Sequence, residues 1–252
     1  MYKIPANTLF IGKHLIFVPE CHSTNTLAYD LSQQPSTTDG TIIITDHQTA
    51  GRGQRGNTWE AEKGRNLTFS LILKPSFLSV KDQFFLNIFA SLAIHDLLVD
   101  TTNATVSIKW PNDILINSKK LCGILIENQI RGSQVSNTIV GIGLNVNQTA
   151  FASSTATSIA SVVGVELDLN NILEKLTEKL EARYLQLRQG IYAALKSEYL
   201  QKLYWRNEMR TFATGEHTFK GTITGIDEAG QLCIESERGL QAYGIKEIKY
   251  IQ

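Results

Sequence analysis

Short apolar runs broken by glycine and asparagine fill the first 150 residues or so, longer helical stripes follow, and short strand-like runs return near the end. Thr41-Ile42-Ile43-Ile44-Thr45 is β-branched throughout and bounded by polar residues, which predicts a buried strand. Leu67, Phe69, Leu71 and Leu73 alternate with smaller or polar neighbours, predicting a half-buried strand stopped at Pro75. Asp82 to Val99 is apolar on almost every face, the pattern of a core helix. Ahead of these, Glu20 to Thr26 reads as a polar turn opening a helix that carries Leu27, Ala28 and Leu31, with Thr24 or Asn25 placed to cap it.

Between Val106 and Asn147 the pattern is of short strands and tight turns: Ser107 to Trp110, Asp113 to Ile116, Leu121 to Asn128 and Asn137 to Asn145. Connections this short predict antiparallel pairing, because a parallel pair needs a long crossover. Leu169, Ile172, Leu173, Leu176, Leu180, Tyr184 and Leu187 then share one helical stripe behind a polar Asp168-Leu169-Asn170 start, and a second helix runs through Leu195, Tyr199 and Leu203. Phe219 to Ile226, Gln231 to Glu235 and Leu240 to Ile251 form a small β module. The reading is α+β, with a main domain over 1–205 and a barrel-like β module over 206–252.

Charge narrows the partners. Lys plus Arg and Asp plus Glu each number 24, so the formal net charge is zero and wholesale wrapping of nucleic acid or an anionic membrane is disfavoured. Cys21, Cys122 and Cys233 lie far apart with no Cys-x-x-Cys pair, which argues against a disulfide framework or a zinc knuckle. The Ile88 to Ile94 run ends at His95-Asp96, well short of a membrane span, and residues 1–20 lack a signal-peptide pattern. A reduced, cytoplasmic protein is expected. His14, His22, His47, His95 and His217 show no metal-ligand spacing, and there is no Gly-x-Ser-x-Gly elbow.

Four segments carry candidate chemistry. Gly51-Arg52-Gly53-Gln54-Arg55-Gly56-Asn57-Thr58-Trp59 matches G-x-G-x-x-G on paper, but no helix is predicted after it and no acid stands about 20 positions on. It also fails as a P-loop, with Asn57 where a lysine is needed. What remains is a flexible backbone carrying Arg52 and Arg55, whose planar forks suit carboxylate and phosphate oxygens. In Lys109-Trp110-Pro111-Asn112-Asp113, Pro111 breaks the strand so that Asn112 and Asp113 can face a magnesium ion or a substrate ammonium, although an ordinary turn reads the same way. Lys119-Lys120-Leu121-Cys122-Gly123-Ile124-Leu125-Ile126-Glu127 places a lysine pair, able to reach a phosphate, at the mouth of an apolar strand whose glycine is of the kind that often marks a close approach, although a gatekeeping lysine at a strand end reads the same way. Gly141 to Asn147 ends a strand, where Asn145 could reach a metal-bound phosphate or merely cap a turn.

Together and in order, Ser23-Thr24-Asn25, Gln48, Gly51 to Trp59, Lys109 to Asp113, Lys120 to Leu125 and Gly141 to Asn145 resemble the biotin protein ligases, and the resemblance runs from about residue 15 to the end. It implies a class II aminoacyl-tRNA synthetase-like catalytic domain with a mixed or antiparallel sheet and an SH3-like C-terminal domain. It also implies a two-step reaction: biotin and MgATP give biotinyl-5′-AMP, and a lysine of a biotin carboxyl carrier protein of a biotin-dependent carboxylase then takes the biotin. On that resemblance the catalytic residues are Lys120, Arg52 and Asp113, with Asp113 a base or orienting group in the second step. Biotin would meet Ser23, Thr24, Asn25, Gln48, Gly51, Arg52, Gly53, Gln54, Lys120 and Gly123. ATP or the adenylate would meet Arg52, Arg55, Trp59, Asn112, Lys120 and Asn145, with Trp59 covering the adenine or closing the loop. Asp113 and Asn145 are candidate magnesium contacts, and no tightly bound metal is expected.

Two departures stand out. Gln54 and Asn57 occupy positions that are basic in many family members, so the loop is less positive here. Repressor-type members carry an N-terminal helix-turn-helix before the catalytic domain; Ser23 already begins the first motif here, so no specific DNA binding is expected. A lipoate or octanoate ligase is the nearest alternative, but its Arg-Arg-x-x-Gly-Gly-Gly loop does not match Gly51 to Gly56. A non-catalytic biotin sensor should have lost the charges that Arg52, Lys120 and Asp113 retain. A homodimer is implied by the resemblance, with a sheet edge near 121–147 as the place where two copies could pair.

Overall fold

Two hydrophobic runs separated by a helix begin the main sheet in the computed structural model, which describes residues 2–251 apart from the side chain of Arg55. β1 (Leu15–Cys21) and β2 (Thr41–Gln48) lie parallel, because α1 (Thr24–Ser32) carries the chain back between them. β3 (Leu67–Leu73) pairs antiparallel with β2, and α2 (Phe85–Thr101) follows. Next come β4 (Val106–Lys109), β5 (Asp113–Ile116), β6 (Lys119–Arg131) and β7 (Gln134–Leu144), all antiparallel to their neighbours, as their short turns predict. The spatial order is β1-β2-β3-β7-β6-β5-β4, a mixed sheet in which only β1 and β2 run parallel. β7 is enclosed by β3 and β6, whereas β6 pairs with β5 only as far as Gly123, so within 121–147 the open sheet edge is the later part of β6.

The sheet is covered on both faces, as strand alternation shows. Ile42 and Ile44 enter the large core with Leu71, Leu73 and Val140, whereas Ile43, Ile72 and Ile139 point to the other side and pack on Ala28 of α1. The large core is capped by α2 and by α4 (Leu169–Arg188) and α5 (Tyr192–Gln201), after a short α3 (Ile159–Val163). Asp168 caps α4, its side chain accepting from the Asn170 amide. The stretch Val80–Thr101 is long and apolar enough to span a membrane by composition alone, yet 61% of its apolar window is buried inside the molecule. α2 is therefore a core helix, as its all-round apolar pattern predicts.

Two-sided burial corrects the reading of β3. All seven of its residues are buried, not half of them, because the polar positions Thr68 and Ser70 face inward beneath the α1 side. The cap of α1 is Ser23, not Thr24 or Asn25, and its hydroxyl makes no capping bond.

After α5 the chain forms β8 (Met209–Thr214), β9 (His217–Ile226), β10 (Leu232–Ser236), β11 (Gly239–Tyr243) and β12 (Lys249–Ile251), an antiparallel sheet ordered β11-β10-β9-β8-β12. The run Leu240 to Ile251, read as one strand, is two strands on opposite edges of this sheet, and β1 and β8 had no sequence signal assigned to them. The two sheets meet tightly. The Trp110 indole donates to the Gly230 carbonyl at 2.9 Å, Ile108 bridges Leu203, and the Lys109 ammonium sits 4.8 Å from the Tyr250 ring centre.

Candidate functional site

A cavity opens where the start of α1, the end of β2 and the strands β3, β7, β6 and β5 converge. Its polar end is built from the first turn of α1. Gln48, the last residue of β2, accepts from the Thr24 amide at 2.8 Å and the Thr24 hydroxyl at 3.2 Å, so a side chain satisfies a helix N-terminal donor. Asn25 is buried; its Oδ1 accepts from the Ser70 hydroxyl at 2.6 Å and its Nδ2 donates to Glu127 at 2.8 Å. The polar alternates of β3 thus anchor the site rather than face solvent.

The roof is the glycine-rich loop. Arg52 and Thr58 pair as a β-bridge, the Gly53 amide donates to Asn57, and the Trp59 amide donates to Gly51, so the segment folds as a small hairpin over the cavity. Trp59 then lies against the backbone of β6 and β7. A Cβ on Gly123 would stand 3.1 Å from the indole, and one on Gly143 would overlap the ring, so these strand glycines are places where a side chain approaches backbone.

The charged end lies on β5 and β6. Lys120 Nζ and the Asp113 carboxylate are 2.6 Å apart, and the same ammonium lies 5.8 Å from the Trp59 ring centre. The backbone of Lys120 is pinned on both sides, its amide to Thr155 at 2.7 Å and its carbonyl from Thr157 at 2.9 Å. Asn112 and Ile124 exchange hydrogen bonds, the Asn112 side chain donating at 2.6 Å, which fixes the turn before Asp113. Across the β4–β5 pair, Asp113 faces Lys109. Burial holds the Lys109 ammonium below its ordinary pKa, with Asp113 opposing that shift and Lys120 adding to it.

Ser23, Thr24, Asn25, Gln48, Arg52, Gly53, Gln54, Trp59, Asn112, Asp113, Lys120 and Gly123 all line this one cavity. Gly51 is not part of the lining and packs beneath the Trp59 carbonyl. Asn145 also stands off the cavity: its amide donates to the Thr157 carbonyl at 3.0 Å, tying the end of β7 to the segment that holds Lys120. Its Oδ1 is buried and, among the described residues, has no hydrogen-bond partner, so the amide nitrogen supports the Lys120 segment while the oxygen expected to meet phosphate or magnesium stays unengaged. The Arg55 side chain lies outside the described set. Among the described residues no three His, Cys, Asp or Glu side chains gather as a metal site, and Asp113 is engaged by Lys120.

Sequence reasoning passed over Ser70 and Glu127, which look like ordinary polar alternates on strands. It also passed over Gly141 and Gly143 as lining residues, although two glycines one residue apart in an apolar strand signal close approach.

Residues 18–145 match the family described as biotin/lipoate A/B protein ligase. The bifunctional ligase/repressor BirA of Bacillus subtilis is 31% identical over 245 residues, covering 93% of this chain and 73% of that protein. The biotin–[acetyl-CoA-carboxylase] ligase of Mycobacterium tuberculosis is 30% identical, covering 88% and 84%. Among solved structures, the biotin protein ligase of Aquifex aeolicus in complex with biotin and ATP superposes with a TM-score of 0.78 at 27% identity, covering 95% of this chain and 99% of that one. On this match of sequence and fold, the chain belongs to the biotin/lipoate A/B protein ligase family.

Proposed function

We propose that the chain is an ATP-dependent biotin ligase that makes biotinyl-5′-AMP and passes biotin to a lysine of a carboxylase carrier protein. The observation that carries this reading is the convergence of Arg52, Lys120 and Asp113 with the neutral hydrogen-bonding set Thr24, Asn25 and Gln48 around one cavity roofed by Trp59. A neutral cyclic urea at one end and a carboxylate at the other match that polarity. The names of the relatives, biotin ligases and a ligase in complex with biotin and ATP, agree with it.

In the first step a carboxylate oxygen of biotin bonds to the α-phosphorus of ATP. The bond from that phosphorus to the β-bridging oxygen breaks, and pyrophosphate leaves. Two anions must approach, so cations that bind more strongly as negative charge shifts onto the leaving oxygen lower the barrier. Lys120 and Arg52 are those cations, and the short contact with Asp113 keeps the Lys120 ammonium aimed. Magnesium enters as part of the substrate MgATP, its oxygens supplied mainly by phosphate and water. In the second step the acceptor amine, having lost a proton, bonds to the acyl carbon and AMP leaves. Asp113, flanked by Lys109 and Lys120, orients or accepts that proton. The loop excludes water from the mixed anhydride between the two steps.

The proposal places the protein in the cytoplasm, with the carrier protein as its macromolecular partner and neither specific DNA nor a membrane among its ligands. A homodimer belongs to it through the resemblance alone. Pyrophosphate–ATP exchange with purified protein and MgATP tests the reading: exchange should need biotin and should not occur with lipoate, octanoate or no acid. Lys120→Gln should lower it by roughly 10²- to 10³-fold, the usual loss when one transition-state charge contact is removed. Exchange driven by lipoate or octanoate would move the protein to the sibling activity, and none with any acid would leave a biotin-binding sensor.

A further inference from the structure

Glu127 projects from β6 beside the cavity, and one of its carboxylate oxygens, Oε2, accepts from two side chains: Nη2 of Arg52 at 2.9 Å and Nδ2 of Asn25 at 2.8 Å. The donors come from separate parts of the fold, the glycine-rich loop and the first turn of α1. Asn25 is 3% exposed, and its amide faces acceptors at one end, Glu127 and the Leu125 carbonyl, and the Ser70 hydroxyl at the other. Reversing that amide would set its oxygen against a carboxylate, so Glu127 selects the orientation Asn25 presents. Beyond Asn25, Ser70 lies 2.7 Å from the Thr24 hydroxyl, and Thr24 donates to Gln48. Gln48 ends β2, and the chain from it leads straight back to Arg52. Polar contacts therefore run from Arg52 through Glu127, Asn25, Ser70 and Thr24 to Gln48.

We propose that Glu127 is a positioning residue that couples the Arg52 loop to the polar end of the cavity, so that a head group held by Thr24, Asn25 and Gln48 steadies the arginine at the reacting end. The inference rests on the adenylation reading. It predicts that an acid with a hydrogen-bonding head gains from Glu127, while a plain alkyl acid does not. The carboxylate is not needed to build the strand: the Glu127 side chain is 37% exposed, and the backbone of the residue pairs with Ile139 regardless.

Glu127→Gln keeps an acceptor for Asn25 and removes the charge that holds Arg52. Trypsin cleavage after Arg52 and Arg55, with no substrate present, should quicken by roughly three- to fivefold, the scale of a half-exposed ion pair, while the melting temperature stays put. The half-life of preformed biotinyl-adenylate on the protein should shorten by a similar factor. Combined with Arg52→Gln, the second change should add less than about twofold, because both remove one contact. Glu127→Ala, which also frees Asn25, should raise the biotin KM beyond that of Glu127→Gln. Wild-type cleavage and adenylate lifetimes in Glu127→Gln, or effects that simply multiply with those of Arg52→Gln, would overturn the coupling. So would a fall in melting temperature that accounts for every change. If wild type shows no biotin-dependent exchange, the ligase reading fails, while the substrate-free trypsin comparison still decides whether Glu127 holds the loop.

Discussion

At Gly141 a single hydrogen atom in place of a side chain leaves room for Asn25. A Cβ there would overlap the Asn25 amide oxygen, the atom that accepts from Ser70. Gly141 is absent from the glycines with positive φ, so its backbone suits alanine and only Asn25 must yield. Gly141→Ala is expected to lose about 1–3 kcal/mol of stability and to raise the biotin KM about tenfold, the cost of displacing one buried hydrogen-bonding group. Exchange kinetics measure it, and an unchanged KM would remove Asn25 from head-group recognition. Lys120, Arg52 and Asp113 stood out in the sequence as charges beside glycine or proline, but alone they read equally as strand ends and turns, and it was their order along the chain, through the family resemblance, that singled them out. Ser70 and Glu127 did not stand out, since their value lies in long-range partners: Ser70 reaches Asn25 across 45 positions and Glu127 reaches Arg52 across 75. No local spacing encodes that.

Elements with strong periodicity were read correctly, and those defined by their surroundings were not. The stripe from Leu169 to Leu187 and the apolar run ending in α2 could hardly be anything but helices packed on a core. β3 was read as half-buried because alternation alone cannot say that both faces of a sheet are covered; here the polar face is covered by the site. β1 carries Pro19 and Glu20 and reads as a weak edge, and it exists because β2 offers it a parallel partner. One cation contacts all three of the helices α2, α4 and α5. Arg183 on α4 bonds Asp96 of α2 at 2.7 Å and Glu198 of α5 at 2.8 Å, with its own side chain 14% exposed. Burial alone would push the Asp96 carboxyl up, but His95 and the Arg183 guanidinium outweigh it and hold it below its ordinary value. A folded pKa below the unfolded one means stability that is present above about pH 4 and is lost as pH falls through the folded value. Asp96→Asn should therefore lower stability at pH 7 in urea unfolding, and the gap to wild type should narrow progressively as pH falls below about 4. A gap that persists there would assign the loss to packing rather than charge.

Across the whole molecule, the second sheet is wedged against the charged end of the cavity rather than hung from it. One continuous apolar core runs from Phe89 and Ile108 through Leu203 and Trp205 to Phe212 and Ile234. The bond from Trp110 to Gly230 and the ring of Tyr250 over Lys109 reach into the segment that ends at Asp113. Tyr250 feels that carboxylate too: burial pushes its hydroxyl well above its ordinary pKa and Asp113 adds to the shift. Its ring also packs on Trp205 and Phe212, yet among the described residues its buried hydroxyl has no hydrogen-bond partner. Ring and hydroxyl can therefore be separated. Tyr250→Phe keeps the face that holds Lys109 and removes a desolvated oxygen, so stability should stay level or rise and exchange activity should hold. Tyr250→Ala removes the half-buried ring, and stability should fall by about 2 kcal/mol, less than for a fully buried aromatic truncation. Activity should fall with it, because Lys109 loses its seat beside Asp113. Far-ultraviolet circular dichroism and tryptophan fluorescence should still melt together in both variants. If Tyr250→Ala instead gave two separate transitions, the second sheet would be an independent unit, and its hold on Asp113 would have to come from some contact other than this ring.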